Sequence, residues 1–436
     1  MTKTQRPAQA FQPRDLGDAL TALSAMVAPI VTFALLVHYL GWGRGLAIGW
    51  LVAPLSAPIA AALVLIWTIP LRPEASLSLR RRPRVRVMRD DPESATRRSI
   101  SVVVPAFNAE TYLRLSLPPL MEMVERGQVN EVIVVDDGST DGSANYARGL
   151  GATVVSSGGR KGPGGARNIA AQMSKSEILW FVDADVVIHS DCAKYVLRAF
   201  DRPGVVAMFG SYDDRPAAPN FGSQYKNLVH HHYHQNASME ASTFWSGCGA
   251  VNREAFLGVG GFDEAKYTRP SIEDVDLGYR LRQAGGRITL DRRLQATHLK
   301  VWSVPELVRV DIFRRALPWS RLMLRMDEVL DDLNVGTGER LRAAYAGFTI
   351  LAIAVIAMGL ISPWWLLPIL LTNVSANWHI FKLFVARRGL LFGVAALLFH
   401  QFYYLYSAVA FVFCWVENKL ERMKASSYPK AALSSK

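Results

Sequence analysis

What most constrains this chain is where its charges are missing. Residues 21–40 form one stretch without a formally charged side chain, His38 being taken as neutral. At 1.5 Å per residue such a stretch crosses the ~30 Å hydrocarbon core of a bilayer. Residues 46–71 form a second, broken by Pro54 and Pro58, which a membrane helix tolerates when neighbours satisfy the freed carbonyls. Only residues 41–45 separate the two, so a helical hairpin is expected. Lys3, Arg6 and Arg14 precede it as they would a signal peptide, but a second span follows almost at once.

After the hairpin come Arg72, Arg80, Arg81, Arg82, Arg84, Arg86 and Arg89. The positive-inside rule makes that side cytoplasmic. Beside a membrane end the cluster reads as a contact with anionic lipid rather than a nucleic-acid patch. The formal charge of +12, from 49 Lys and Arg against 37 Asp and Glu, therefore calls for no nucleic-acid partner. At the other end, residues 343–361 and 364–385 suggest a hairpin, and 390–416 a third span. Three spans would leave Lys419, Arg422, Lys424, Lys430 and Lys436 outside, so either one stretch is re-entrant or the charge rule fails there.

Half of the 436 residues are hydrophobic and 20% are charged, which excludes a disordered chain and a collagen-like repeat. Cys192, Cys248 and Cys414 are odd in number and far apart, so neither a disulfide framework nor a thiolate zinc site is expected.

Between residues 100 and 299 the pattern changes to short β-branched runs separated by helical stretches. Strands are expected at 100–104, 132–135, 153–155, 178–182 and 205–209, each almost continuously apolar, as in parallel strands covered on both faces. Helices are expected at 112–126 and 166–173. The fold class is α/β, a doubly wound, mostly parallel sheet, whose ligands bind at the carboxyl ends of the strands.

Polar groups gather at those ends. The first strand runs into Pro105, Ala106, Phe107 and Asn108, the second into Asp136, Asp137 and a turn through Gly142, the fourth into Asp183, Ala184 and Asp185. Residues 136–142 alone would serve as a turn and helix cap. Asp183 and Asp185 would repel each other unless a cation lay between them, and hard oxygen ligands suit Mg2+ or Mn2+. Residues 158–168 form a glycine-rich loop entering a helix, with Gly165, Arg167 and Asn168 at its end. Glycines admit a close ligand, and a helix start with an arginine favours an anion. No GK[ST] follows, so it is not a nucleotide-triphosphatase loop. Trp245 to Ala250, containing Gly247, Cys248 and Gly249, reads as a small-residue turn. Glu273, Asp274 and Asp276 open a helix, where acids suit the dipole. Three acids in four residues also suggest a general base.

Taken in order, residues 101–108, 132–142, 164–168, 181–185, 247–263 and 272–281 resemble the family 2 glycosyltransferases, which have the GT-A fold. The resemblance implies transfer from a nucleotide diphosphate sugar with inversion at the anomeric carbon. It places Pro105, Ala106, Phe107, Asn108, Asp136 and Asp137 around the nucleoside. Gly165, Arg167 and Asn168 would face the nucleotide, with Asp183, Ala184, Gly247, Cys248 and Gly249 beside it. Asp183 and Asp185 would be the family's DxD pair holding a divalent metal, with His298 as a further ligand. Asp274, next to Glu273, would be the catalytic base. Processive members carry a QxxRW sequence; here Arg315 and Trp319 stand nearest to it, without the Gln and in a shifted frame, as an acceptor contact. The acidic pair points to a hydroxyl acceptor, itself membrane-associated and lipid-linked.

His230, His231, His232, His234 and Tyr233 could be a zinc site, but no acid accompanies them, so contacts in an acceptor groove or at the bilayer are expected. Residues 301–330 mix aromatic and aliphatic side chains with arginines, as an interfacial helix does. The expected layout is a tail (1–20), a membrane hairpin (21–71), a basic linker (72–98), a GT-A domain (99–300), interfacial helices (301–340), C-terminal spans (341–417) and a tail (418–436). This describes a multi-pass protein of the bacterial inner membrane, its catalytic domain cytoplasmic, acting in the cell envelope. Alternatives are a processive polysaccharide synthase and a catalytically silent nucleotide-sugar-binding scaffold.

Overall fold

A computed structural model describes residues 98–190, 192–326 and 333–427. The expected N-terminal hairpin and arginine cluster, up to residue 97, lie outside these. The described residues divide into two compact units, one made of those up to 334 together with those from 413 onward, the other of residues 335–412.

The first unit is built on one sheet. Its strands are β1 (Ile100–Ala106), β2 (Glu131–Asp136), β3 (Thr153–Ser156), β4 (Ile178–Val182), β5 (Val186–Ile188), β6 (Val205–Tyr212), β7 (Glu240–Ala241), β8 (Cys248–Asn252) and β9 (Arg287–His298). The order is β3-β2-β1-β4-β8-β6-β9-β5, with β7 on β9. The β1, β2, β3 and β4 ladders are parallel, as is β6 with β9. The pairings β4 with β8, β6 with β8, β5 with β9 and β7 with β9 are antiparallel. The sheet is therefore mixed rather than mostly parallel. The reason is β8, which was expected as a turn and instead enters between β4 and β6 in the opposite direction.

Both faces are covered, which explains the unbroken apolar strands. Along β4, Ile178, Trp180 and Val182 pack into one cluster with Leu113, Leu117 and Leu120 of α1 (Glu110–Glu125). Leu179 and Phe181 pack into the other with Ala166 and Ala170 of α3 (Gly162–Met173) and Leu277 and Leu281 of α7 (Glu273–Gln283). Each fully buried side chain of this size contributes about 1.5–3 kcal/mol. The intervening helices are α2 (Ser143–Gly149), α4 (Ala193–Phe200), α5 (Phe221–Asn236) and α6 (Arg253–Gly258).

The expected interfacial stretch is three pieces: α8 (Val304–Val310), a π-helical turn (Asp311–Ala316) and α9 (Leu317–Met326).

The second unit is helical: α10 (Thr337–Ala357), α11 (Leu366–Ala376) and, as far as residue 412, α12 (Trp378–Ser427), which is broken at Gly389, with φ 82°. The stretch expected as one span at 364–385 is thus interrupted at Asn377, which caps α11. Among the described residues one helix, Thr337–Ala357, is long and apolar enough by itself to cross a membrane. Asn373, Asn377 and Tyr404 are buried and hydrogen-bonded together, Asn373 to Gln401 at 2.9 Å and Tyr404 to Glu339 at 2.8 Å.

Candidate active site

The parallel register sets the ends of three strands level with one another. Ala106 lies opposite Asp136, and Val103 opposite Phe181, so the residues after β1, β2 and β4 emerge at one rim. The loops there are tied together. Asn108, at φ 47°, accepts from the Thr140 amide at 2.8 Å, and its own amide donates to Ser139 Oγ at 3.0 Å. Asp136 accepts from the Ser139 amide at 3.0 Å. Phe107 is exposed, with the Arg160 guanidinium 3.3 Å from its ring centroid.

Several residues expected to face a nucleotide are otherwise engaged. Asp137 is buried, and its two carboxylate oxygens accept from the Lys161 and Gly162 amides at 2.8 and 2.9 Å, fastening the glycine loop to β2. Asn168 pins the segment before α7: its side-chain amide donates to Phe262 O and its carbonyl accepts from Phe262 N. Cys248 is wholly buried in the core under the sheet, and burial raises its thiol well above the ordinary range. Ala184 gives its carbonyl to Ser116, and Gly165 is buried within α3. Gly247 and Gly249 border the rim through backbone: Gly247 O accepts from the Asp183 amide at 3.1 Å, and a Cβ on Gly249 would come within 2.2 Å of Trp245 O. Glycine is required at 249 by this close approach.

Arg167 departs furthest from expectation. It is 2% exposed, lies over Phe181 and Phe262 with 5.8 and 5.5 Å to the ring centroids, and donates to Asp183. Its Nε and Nη1 are buried without a hydrogen-bond partner. The guanidinium is thus a buried counter-ion to Asp183.

Asp183 keeps 36% of its side-chain surface, so solvent moderates its environment. Burial pushes its carboxyl up, Arg167 opposes that, and the charges of Asp185 and Asp274 push it further up. Asp185 lies 3.6 Å from His298 Nε2. Burial works against its charge, but the adjacent His298, with Lys300, holds its carboxyl below the ordinary range. His298 is on β9 opposite Val186, and its ring stacks on Tyr212 at 4.4 Å and 11°. Two carboxylates and an imidazole crowded at one rim are donors that suit Mg2+ or Mn2+. Asp183 itself faces Arg167, and among the described residues no set of three His, Cys, Asp or Glu is assembled as a ready cage.

Across the rim, α7 begins with Glu273 and Asp274. Asp274 accepts from the Ser246 amide at 3.1 Å and Ser246 Oγ at 3.3 Å. Gly247, next to Ser246, takes the Asp183 amide on its carbonyl, which brings the two acidic motifs to one site. Glu273 is buried, accepts from the Ser271 amide at 2.7 Å, and is pushed up to about 7 by burial and by Asp274. Asp276 serves structure instead, holding Lys266 and Arg280 at 2.5 and 2.8 Å.

The histidine cluster on α5 is divided. His231 Nδ1 pairs with Tyr212 O at 2.7 Å and His234 Nδ1 with Gly210 O at 2.8 Å, so both serve the β6 backbone. His230 packs on Tyr212, Trp245 and His234. Burial, then His234 and Arg315, holds it well below the ordinary imidazole range, and hence neutral. Tyr212 carries no motif in the sequence, and Trp245 and Ser246 read there only as the start of a small-residue turn.

Residues 101–259 match the family model described as Glycosyl transferase family 2. It is 26% identical over 244 residues to validoxylamine A glucosyltransferase of Streptomyces hygroscopicus subsp. limoneus, covering 46% of this chain and 52% of that one. It is 28% identical over 250 residues to pre-mycofactocin glycosyltransferase of Mycobacterium tuberculosis, covering 53% of this chain and 50% of the relative. The chain spans about half the length of these curated relatives. A mannosyltransferase from Pyrobaculum calidifontis, solved with GDP-Man and Mn2+, is 18% identical over 85% of this chain and 98% of that one, at a TM-score of 0.42, too low to assign any role.

Proposed function

We propose that the chain is a membrane glycosyltransferase of GT-A type. It moves a sugar from a nucleotide diphosphate sugar to a hydroxyl of a membrane-associated, lipid-linked acceptor, with inversion. The observation that carries this is the meeting at one rim of Asp183 and Asp185, which follow β4 inside the stretch that matches the family 2 model, with Asp274 at the start of α7, the adjacent residues Ser246 and Gly247 being bonded to Asp274 and to the Asp183 amide.

Asp274 takes the proton from the attacking hydroxyl. The Ser246 amide and hydroxyl hold its Oδ2 and the Val275 amide holds its Oδ1, so the carboxylate is fixed in place and a remaining lone pair takes the proton. Attack from the base's side displaces the nucleotide diphosphate from the opposite face, and one base suffices for inversion. Glu273 supports Asp274 from the same helical turn. Arg167 balances Asp183 from below, so the rim is not a bare acidic cluster when the donor arrives. Asp183, Asp185 and His298 would hold a divalent cation, which neutralises charge developing on the leaving diphosphate. Phe107 and Arg160, exposed at the β1 end, are placed for the base of the nucleotide.

The membrane part of the proposal is supported by α10 and by an apolar exterior over polar interior contacts. Ile350, Leu367, Leu371, Leu391, Leu398 and Val409 are exposed, while Asn373, Asn377 and His400 are buried. The test is sugar transfer by the purified protein with Mn2+ and a membrane lipid extract. Labelled sugar in a lipid product, lost in Asp274→Asn with donor binding retained, supports the reading. Polymer as product would favour a processive synthase, and donor binding without transfer a silent scaffold.

A further inference from the structure

Beside the rim lies a cluster of cations that the mechanism above does not use. Lys226, on α5, is 15% exposed in its side chain and places Nζ 2.6 Å from Asp311 Oδ1. Arg315 reaches the same oxygen at 4.0 Å while keeping 45% of its side chain in solvent. Two cations thus share one buried carboxylate, an excess of one positive charge. Asp311 and Arg315 belong to the π-helical turn Asp311–Ala316, an irregularity frequent at functional sites.

The turn is fastened to the catalytic rim. Ser271, three residues before Asp274, donates through Oγ to Arg314 O at 2.8 Å. Lys226 lies one turn before His230 on α5, the His230 ring packs on Tyr212, and Tyr212 stacks on His298, the partner of Asp185. Phe313, two residues from Arg315, is 62% exposed. The turn therefore offers a basic patch and an exposed apolar side chain, bonded to the segment that leads into α7.

We propose that Lys226 and Arg315 form a phosphate subsite for the acceptor, binding a phosphate ester while the neighbouring acceptor hydroxyl faces Asp274. This rests on the transferase reading and narrows its acceptor to a phosphate-bearing molecule. Arg315 supplies a solvent-facing fork that suits phosphate oxygens, and Lys226 a point charge fixed from behind by Asp311. Burial and Arg315 lower Lys226 to about 8, a strain on its charge that an anion would relieve. The source of the phosphate is a lipid headgroup or a soluble phosphate ester, and Phe313 suits the lipid.

The test is calorimetric binding of n-decyl phosphate diluted into detergent micelles, with decanol and inorganic phosphate as separate arms. Wild-type protein is compared with Arg315→Gln, which lies at the surface, and with Lys226→Gln. Binding of nucleoside diphosphate with Mn2+ is measured on the same samples. The expected result is binding of decyl phosphate but not decanol, weakened about ten-fold or more in each variant, with nucleoside diphosphate binding held. Inorganic phosphate binding as tightly as decyl phosphate, with the same loss in the variants, supports the subsite and assigns it to a soluble ester. Unchanged decyl phosphate binding in Arg315→Gln overturns the proposal. So does a loss of nucleoside diphosphate binding in that variant, which would give the cations to the donor. No nucleoside diphosphate binding by wild-type protein would instead sink the transferase reading.

Discussion

Gly278→Ala probes whether α7 is held at the distance the chemistry needs. Gly278 lies inside α7, one turn past Asp274, against the chain segment that leads to Ser246. A Cβ there would stand 2.5 Å from Phe244 N, 2.9 Å from Thr243 C and 3.1 Å from Thr243 Cα. These are backbone atoms, which cannot rotate away. Restoring ordinary contact, from 2.5 Å to about 3.4 Å, moves α7 from the segment by about 0.9 Å. The displacement falls on the Ser246–Asp274 hydrogen bonds, now 3.1 and 3.3 Å. A misplacement near 1 Å costs on the order of a hundred-fold in rate. The stability cost is smaller: overpacking costs about 1–3 kcal/mol, and the helix gains about 1 kcal/mol from replacing glycine. Gly258→Ala, where nothing lies within 4 Å, is the matched control. The assay is initial-rate transfer together with chemical unfolding of both variants. A Gly278→Ala protein within about three-fold of wild-type rate would refute the reasoning that this contact sets the position of the base.

Glu273→Gln should flatten the stability profile at mildly acid pH. In the folded chain the group titrates near 7 against an ordinary 4.5, so the fold retains a proton that the unfolded chain releases, and stability falls as pH rises across that window. Chemical unfolding at several pH values in EDTA checks this; an unchanged slope would contradict the burial of its charge. His298→Ala should weaken Mn2+ binding by about ten-fold or more without donor present, read by calorimetry. Equal affinity would remove His298 from the metal set. Asp276→Ala should cost about 2 kcal/mol in unfolding, because it strands Lys266 and Arg280; a loss below about 0.5 kcal/mol would make the pair ornamental.

The rim was legible where local sequence decides structure. β4 falls at 178–182 as expected, because a five-residue apolar run before Asp183 has few alternatives. The acidic strand ends and the start of α7 were readable for the same reason. β8 was not, since Gly247, Cys248 and Gly249 look like a turn until Trp245 and Phe244 pack against them. β9 was hidden by Asp291, Arg292 and Arg293, which a long strand carries at a register shift beside β6. The roles of Asp137, Asn168 and Arg167 were displaced inward for a shared reason. Each is polar and sits in a motif, yet its partner (the Lys161 amide, Phe262, Asp183) is fixed only by tertiary packing. Tyr212 had no signal and Ser246 none beyond a turn, because their significance is proximity to His298 and Asp274 alone.

The central claim, a metal-assisted sugar transfer driven by Asp274, is tested most directly by one experiment. The detergent-solubilised protein is incubated with a panel of nucleotide sugars and a membrane lipid extract, in Mn2+ or EDTA, beside Asp274→Asn. The account predicts release of nucleoside diphosphate coupled to labelled lipid in Mn2+, absent in EDTA and in the variant. Full transfer by Asp274→Asn, or no release with any donor despite metal-dependent nucleotide binding, would contradict it.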